Sequence, residues 1–244
     1  MGDELKKLLY KATLFKPIPC GITNGKLILK EYPNYIVDKW VKKYHYSHKA
    51  TQNRFLSFFI DECLFPNIHK GFIQLGYGIR PHIKHTISQY ITANNYCEFD
   101  RMWLSDELPK NSESQVIGLL LSYLKQTCPE IKFVITYADG SVGNKGIIYQ
   151  ATNAISIGKV PVDFYLLPSG ERIHPVSIWH RHKTRAFKTL EKIYPGIKHI
   201  TNEWQYRYLY ILNRRLRKKY QDRDTLVQQE GGGQFSPSAP MVMN

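Results

Sequence analysis

The sequence predicts an α+β (α/β) fold: a mixed sheet flanked by helices. Three observations point there. The chain has 244 residues, 43% of them hydrophobic, enough to bury a sizeable core in one large domain. Short β-branched and aromatic runs alternate with helical patterns in the order helix, strands, strand, helix, strand, helix, strands. No apolar run approaches the roughly 18 residues of a membrane span, and Met1–Lys7 lacks the apolar stretch of a signal peptide.

Each element has its own cue. Pro33 to Lys43 predicts a short helix, with Asn34 as N-cap and Ile36, Val37, Trp40 and Val41 on one face. Arg54 to Ile60 and Gly71 to Ile79 predict antiparallel strands joined through Pro66 and Asn67, and Glu98 to Leu104 alternates like another strand. Pro109 to Ser114 opens an apolar helix over Val116 to Gln126, with Asn111 or Ser112 as N-cap and Glu113 and Gln115 in its first turn. Lys132 to Tyr137 predicts a buried strand that ends in the Gly-rich loop Ala138 to Gly143. A further helix starts near Asn144 and carries Ile147, Ile148 and Tyr149. Ile155 to Leu167 and Trp204 to Leu212 predict late strands with a basic helical stretch between them. The expected domain is 1–216, including a basic segment 171–216; residues 217–244, rich in charge, Gln, Gly, Pro and Ser, are expected to be a disordered tail.

Charge narrows the partner. Lys and Arg number 34 against 20 Asp and Glu, a net +14, and residues 171–220 alone carry 13 of those cations against three glutamates. Trp179 sits among Arg181, Lys183, Arg185 and Lys188, a mixture that can hold phosphates and stack on bases. The alternative is a solvated basic helix face. Nucleic acid is the first expected partner, charge alone not separating DNA from RNA, and no membrane is expected. The four cysteines, Cys20, Cys63, Cys97 and Cys128, contain no C-x-x-C pair, which argues against a disulfide framework and for a reducing cytoplasm.

Four constellations carry chemistry. Asn111-Ser112-Glu113-Ser114-Gln115 opens a helix whose unpaired amides favour an anion. Its Gln115-x-x-Gly118 spacing resembles, in degenerate form, the pyrophosphate-cradling turn of Gcn5-related N-acetyltransferases, although Leu120 stands where that pattern wants a small residue. Asp139 ends a strand, where α/β crevices bind ligands; the alternative is an Asp-Gly turn in which it bonds its own backbone. Tyr149 on the next helix can donate a proton to a leaving group, or simply fill a core. Tyr44-His45-Tyr46-Ser47-His48 can handle protons or ligate a metal, or form hydrogen-bonding surface. Asp100 and Arg101 lie inside an otherwise apolar strand, and buried charges are costly unless paired.

Taken in order, Tyr44-His45-Tyr46-Ser47, Glu98-Phe99-Asp100-Arg101-Met102-Trp103, Leu108-Pro109-Lys110-Asn111-Ser112-Glu113-Ser114, Tyr137-Ala138-Asp139, Gly146 to Asn153 and Tyr206 to Tyr210 resemble the Mom family of phage DNA-modification proteins. The resemblance spans roughly residues 35 to 215. It implies a GNAT-like fold, with a mixed, mostly antiparallel central sheet, and conversion of adenine in double-stranded DNA to its N6-carbamoylmethyl (acetamido) form, which protects phage DNA from restriction in the host cytoplasm. The implied catalytic residues are Arg101, Ser114, Asp139 and Tyr149, with Asp139 assisting deprotonation of the adenine amine and Tyr149 protonating the leaving group. The implied acyl-donor site is Asn111, Ser112, Ser114, Gln115 and Gly118, taking acetyl-CoA or an activated glycine. His45, Tyr46 and Asp139 are the implied iron ligands, with His48 able to replace His45. Relatives tend to carry Pro after the Asp and a His further on, where this chain has Gly140 to Gly146. Two other readings stay open: an acetyl-CoA-dependent N-acetyltransferase acting on a protein or small amine, and a non-catalytic DNA-binding antirestriction protein. The oligomeric state is open, a homodimer included.

Overall fold

The computed structural model describes residues 22–78 and 87–220. In chain order the elements are β1 (Ile22–Thr23), β2 (Leu27–Glu31), α1 (Asn34–Tyr44), β3 (Arg54–Glu62), β4 (Phe65–Tyr77), β5 (Tyr96–Leu104), α2 (Ser112–Thr127) and β6 (Phe133–Asp139). A 3-10 turn, Gly140–Val142, leads to α3 (Ile147–Ala151) and β7 (Ile155–Pro161). Then come β8 (Phe164–Leu166), β9 (Arg172–Ile173), α4 (Pro175–His182), α5 (Phe187–Ile193), β10 (Lys198–Ile200) and β11 (Trp204–Ile211).

Eight strands form one sheet in the order β1-β2-β3-β4-β5-β6-β11-β7. Every neighbouring pair is antiparallel except β5 and β6, which run parallel because α2 carries the chain back between them. This is the expected mixed, mostly antiparallel sheet with helices on its faces.

The sheet has two apolar faces. On one, Val116, Ile117, Leu120 and Leu124 of α2 pack on Phe58, Ile73, Leu75, Phe99 and Val134. On the other, Val37 and Val41 of α1 pack on Phe59 and Phe72, with Trp40 and Trp103 beside them. An 11-residue helix is marginal by itself, so packing must hold α1. Burying Val37 and Val41 completely contributes about 3–5 kcal/mol, enough to decide the matter.

Several local expectations are corrected. Asn34 is the first helical residue rather than the cap, which is Pro33; the Asn34 Oδ1 instead accepts a hydrogen bond from Ser57 Oγ at 2.6 Å. β4 starts at Phe65, well before Gly71, and Ile79 at its expected end lies outside the described residues. Ile155 to Leu167 is not one strand. β7 belongs to the large sheet, whereas β8 turns away into a separate sheet, β10-β8-β9. With α4 and α5 this small sheet encloses its own core of Tyr165, Leu167, Ile173, Ile178, Leu190 and Ile197. It forms a module inserted between β7 and β11, adjacent strands of the main sheet. Residues 214–220 are helical, so the stretch expected to lack structure is ordered at its start; residues 221–244 and Cys20 lie outside the described residues. Among the described residues no helix is long and apolar enough to cross a membrane.

Candidate active site at the fork between β5 and β6

Strands β5 and β6 pair only from Tyr96 opposite Phe133 to Phe99 opposite Thr136. Beyond that rung β5 continues to Leu104 and β6 to Asp139 without pairing, so the sheet opens into a fork. The separation starts where β5 carries an irregularity: its register against β4 slips between Leu75 opposite Phe99 and Gln74 opposite Arg101.

The α2 side of the fork suits an anionic ligand. Asn111 caps α2 in the left-handed conformation (φ 68°) and makes no side-chain capping bond. Ser112 spends its hydroxyl on Pro109 O at 2.6 Å and its amide on the same carbonyl. Of the two candidates, Asn111 is therefore the cap, but by backbone alone. The Gln115 amide bonds Asn111 O, while the amides of Glu113 and Ser114 find no backbone acceptor among the described residues. Gly118 sits one turn on, exposed, and a methyl group added there would meet nothing within 4 Å. Glycine in a helix interior costs about 1 kcal/mol relative to alanine. Open space above it is what a close-lying ligand needs. These residues fit the pyrophosphate and pantetheine-like arm of an acyl donor.

The junction holds Tyr149. Its ring meets Phe99 edge-on at 5.9 Å and Tyr208 at 5.5 Å. Burial raises the pKa of its hydroxyl above the usual tyrosine value, with the Thr136 hydroxyl pulling the other way and Tyr46 and Tyr208 adding to the rise. Tyr149 is thus protonated at neutral pH. Thr136 and Tyr149 approach without meeting hydrogen-bond geometry, and the fully buried Thr136 Oγ1 has no hydrogen-bond partner among the described residues.

The opposite side gathers charge. Gln74, paired with Arg101, directs its amide to Asp38 of α1, so Arg101 projects on the α1 face. Arg101 donates to Lys49 O at 3.3 Å and to Asp100 O at 2.7 Å. The Tyr46 hydroxyl is raised by loss of water and by the Asp139 carboxylate, and lowered by Arg101 and Arg172, which puts all three charges within its electrostatic reach. The Tyr46 ring lies against His45, centroids 4.3 Å apart and planes tilted by 33°. His45 is buried and held down to about 4 by that burial and by Arg101 and His48, so it is neutral at pH 7. The Ser47 amide donates to its Nδ1 at 3.1 Å, which leaves the proton on Nε2.

Residues 26–228 match the Mom protein family. The chain belongs to that family. It is 32% identical over 179 residues to the methylcarbamoylase Mom of Escherichia phage Mu, across 72% of this chain and 71% of the relative. Among solved structures it resembles a probable GNAT-family acetyltransferase from Chromobacterium violaceum (TM-score 0.48, 8% identity, 81% of this chain and 88% of that one). It also resembles a spermidine N-acetyltransferase from Vibrio cholerae in complex with CoA and spermine (TM-score 0.43, 9% identity, 78% and 97%).

This Mom-family chain brings Arg101, Asp139 and Tyr149 to the fork, with Tyr46 within electrostatic reach of all three. Ser114 is the third residue of α2, and no hydrogen bond links it to the other three. Asp139 has partners the sequence did not reveal. Its Oδ1 accepts from the Ser141 amide at 3.0 Å, the turn-forming role weighed as its alternative. Its Oδ2 pairs with Arg172 Nη1 at 2.9 Å, and the same nitrogen reaches Ser141 Oγ at 2.9 Å. Arg172 comes from the inserted module, 33 residues downstream, and no spacing rule connects the two.

The proposed iron ligands are corrected. Both Asp139 oxygens are engaged, His45 Nδ1 is occupied by Ser47, and two guanidiniums flank Tyr46. His48, the substitute, donates from Nδ1 to Lys42 O at 3.0 Å, which leaves its Nε2 lone pair free, so the misfit lies with the other members of the set. Among the described residues no three His, Cys, Asp or Glu side chains converge. The donor set does not fit a divalent cation, which two adjacent guanidiniums would repel.

The candidate DNA contacts lie on the module. Lys183 is the left-handed C-cap of α4 (φ 56°), and Lys183, Arg185 and Lys188 are exposed. Arg181 is 3.6 Å from Glu171. Trp179 stays 46% exposed and Phe187 40%, large apolar surface beside the cations. Of the net +10 in residues 171–220, +4 falls in 171–203 and +6 in 204–220, so more than half of the excess belongs to β11 and the helix after it.

Proposed function

We propose that this chain transfers a two-carbon unit to the exocyclic amine of adenine in double-stranded DNA, giving N6-carbamoylmethyl (acetamido) adenine that shields phage DNA from host restriction. One observation carries the reading: in a chain 32% identical to a methylcarbamoylase, the sheet forks at Phe99 and Thr136, with an anion-suited helix start on one side and a charged aromatic recess on the other.

Attack of the adenine amine on the carbonyl carbon of an activated glycine displaces its carrier and gives an N6-glycyl adduct of the same composition as the carbamoylmethyl product. An isomerisation must then reconnect that adduct through the methylene. Acetyl-CoA alone would give only N6-acetyladenine, attached through its carbonyl and without the amide nitrogen. Gly118 leaves room for the donor's arm, and the Glu113 and Ser114 amides with the helix dipole hold its phosphates. The Ser114 hydroxyl, at the same helix end, can hold a donor oxygen. Tyr149, protonated and buried at the junction, delivers its proton to the leaving group.

The adenine amine is a weak nucleophile locked in a base pair, so the base must leave the stack, at a cost of a few kcal/mol. The α1 face offers a surface for it. Tyr44 stacks on Trp103 at 4.5 Å, and Tyr46 stands exposed next to Arg101. Cations of the module, Arg181, Lys183, Arg185 and Lys188, neutralise phosphates on the flanking duplex.

Mass spectrometry of nucleosides from cells expressing the chain tests this directly. A deoxyadenosine heavier by a carbamoylmethyl group is expected. Unmodified deoxyadenosine, with or without restriction resistance, would overturn the reading, and acetyl transfer to small amines without DNA would replace it with an ordinary acetyltransferase.

A further inference from the structure

The residues that join the inserted module to the fork point to a role for Asp139 different from the base expected of it. Both its carboxylate oxygens are held, one by Ser141 and one by Arg172, and the Arg172 guanidinium lies over the Phe164 ring at 4.9 Å. Phe164 and Arg172 are both module residues, on β8 and β9. The neighbouring positions repeat the linkage. Lys49 donates to Arg172 O at 3.1 Å and lies 3.7 Å from Glu171, while its own carbonyl accepts from Arg101. Glu171 in turn faces Arg181 on α4. Two adjacent residues, Glu171 and Arg172, thus stand between the cationic helix α4 and the two charged residues of the fork, Asp139 and Arg101.

We propose that Asp139 and Arg172 form a clasp that seats the inserted module against the fork, making both positioning residues for the DNA substrate. The Asp139 carboxylate has both oxygens committed to protein donors, one of them the Arg172 guanidinium. It is well suited to fix where the module stands. The side chains are 20% and 38% exposed, sheltered enough for the pair to outweigh an open surface ion pair. The module has its own core but joins the main sheet only through β7 and β11, so its placement depends on contacts such as this one. The link to DNA rests on the function proposed above; the clasp itself does not.

Hydrogen exchange on the free protein, paired with nucleoside analysis from expressing cells, tests the clasp in Asp139→Asn, Arg172→Gln and the swapped double variant Asp139→Arg/Arg172→Asp. Each single change is expected to raise exchange in residues 162–200 about tenfold while β3 and β4 stay protected, the pattern of local rather than global opening. Modification is expected to fall by about the same factor, and the swap to recover most of both losses. Wild-type exchange in Arg172→Gln would overturn the clasp. A swap that restores protection but leaves modification absent would overturn the positioning role and return Asp139 to chemistry. Because the exchange readout uses no DNA, the clasp stands or falls even if the wild-type chain modifies no adenine.

Discussion

Tyr149 stands edge-on to Phe99, ring planes at 72°, on the last rung that β5 and β6 share. The contact fixes the phenol by its ring and leaves the hydroxyl as the variable part. Tyr149→Phe keeps the packing on Phe99 and Tyr208 and removes only the hydroxyl. The expected result is a melting temperature within about 2 °C of wild type and a loss of modification of about 10²- to 10⁴-fold, the range for one general acid. Thermal denaturation and quantitative nucleoside analysis read the two effects separately.

Gly118 separates helix stability from ligand binding. Alanine there meets no protein atom and removes glycine's backbone entropy, so Gly118→Ala is expected to stabilise the chain by up to about 1 kcal/mol. Gly118→Leu is expected to fold equally well yet bind a CoA-type donor at least about tenfold more weakly, because its side chain fills the open space. Urea denaturation and calorimetric titration with CoA would show it, and unchanged titration for leucine would place the donor elsewhere.

Asp100 predicts a pH dependence. Burial pushes its carboxyl up to about 6, against the pull of Thr51 and Arg101, and its Oδ2 has no hydrogen-bond partner among the described residues. A carboxyl with a raised folded pKa binds its proton more tightly folded than unfolded. Its contribution is therefore present below the unfolded value near 4 and is lost as pH rises through 6. Asp100→Asn, which mimics the protonated form, should gain about 2 to 3 kcal/mol relative to wild type between pH 4 and pH 7. Denaturation midpoints across that window give the comparison, and a constant difference would show that Asp100 titrates normally.

The module's cations should act on affinity without touching the fold. Replacing Arg181, Lys183, Arg185 and Lys188 by Gln removes exposed charges outside the module's core. Duplex binding should weaken, and the slope of log affinity against log salt should shrink by about 3 to 4. An unchanged slope would move the DNA footprint to the six cations of residues 204–220.

Much of the fold was legible because local chemistry and tertiary demand agree. The apolar face of α2, the buried run of β6 and the alternation in β5 follow from side chains that must bury on one face, and all three elements formed where the pattern put them. Ile155 to Leu167 failed because a continuous apolar pattern does not record that the chain changes sheets after Pro161. Asn34 failed as a cap because its carbonyl had a better use, accepting from the buried Ser57 across the sheet.

The sequence by itself determined which residues are candidates for chemistry and how the helices and strands alternate, since charge, periodicity and turn residues act over a few positions. It also determined the family, through motifs that survive in order over most of the chain. Only the tertiary structure decided what those residues do to one another. Arg172 pairs with Asp139 from 33 residues away, two guanidiniums come within electrostatic reach of Tyr46, and Tyr149 comes to lie where two strands part. Electrostatics depends on distance through space, and distance through space is set by how the sheet closes rather than by separation along the chain.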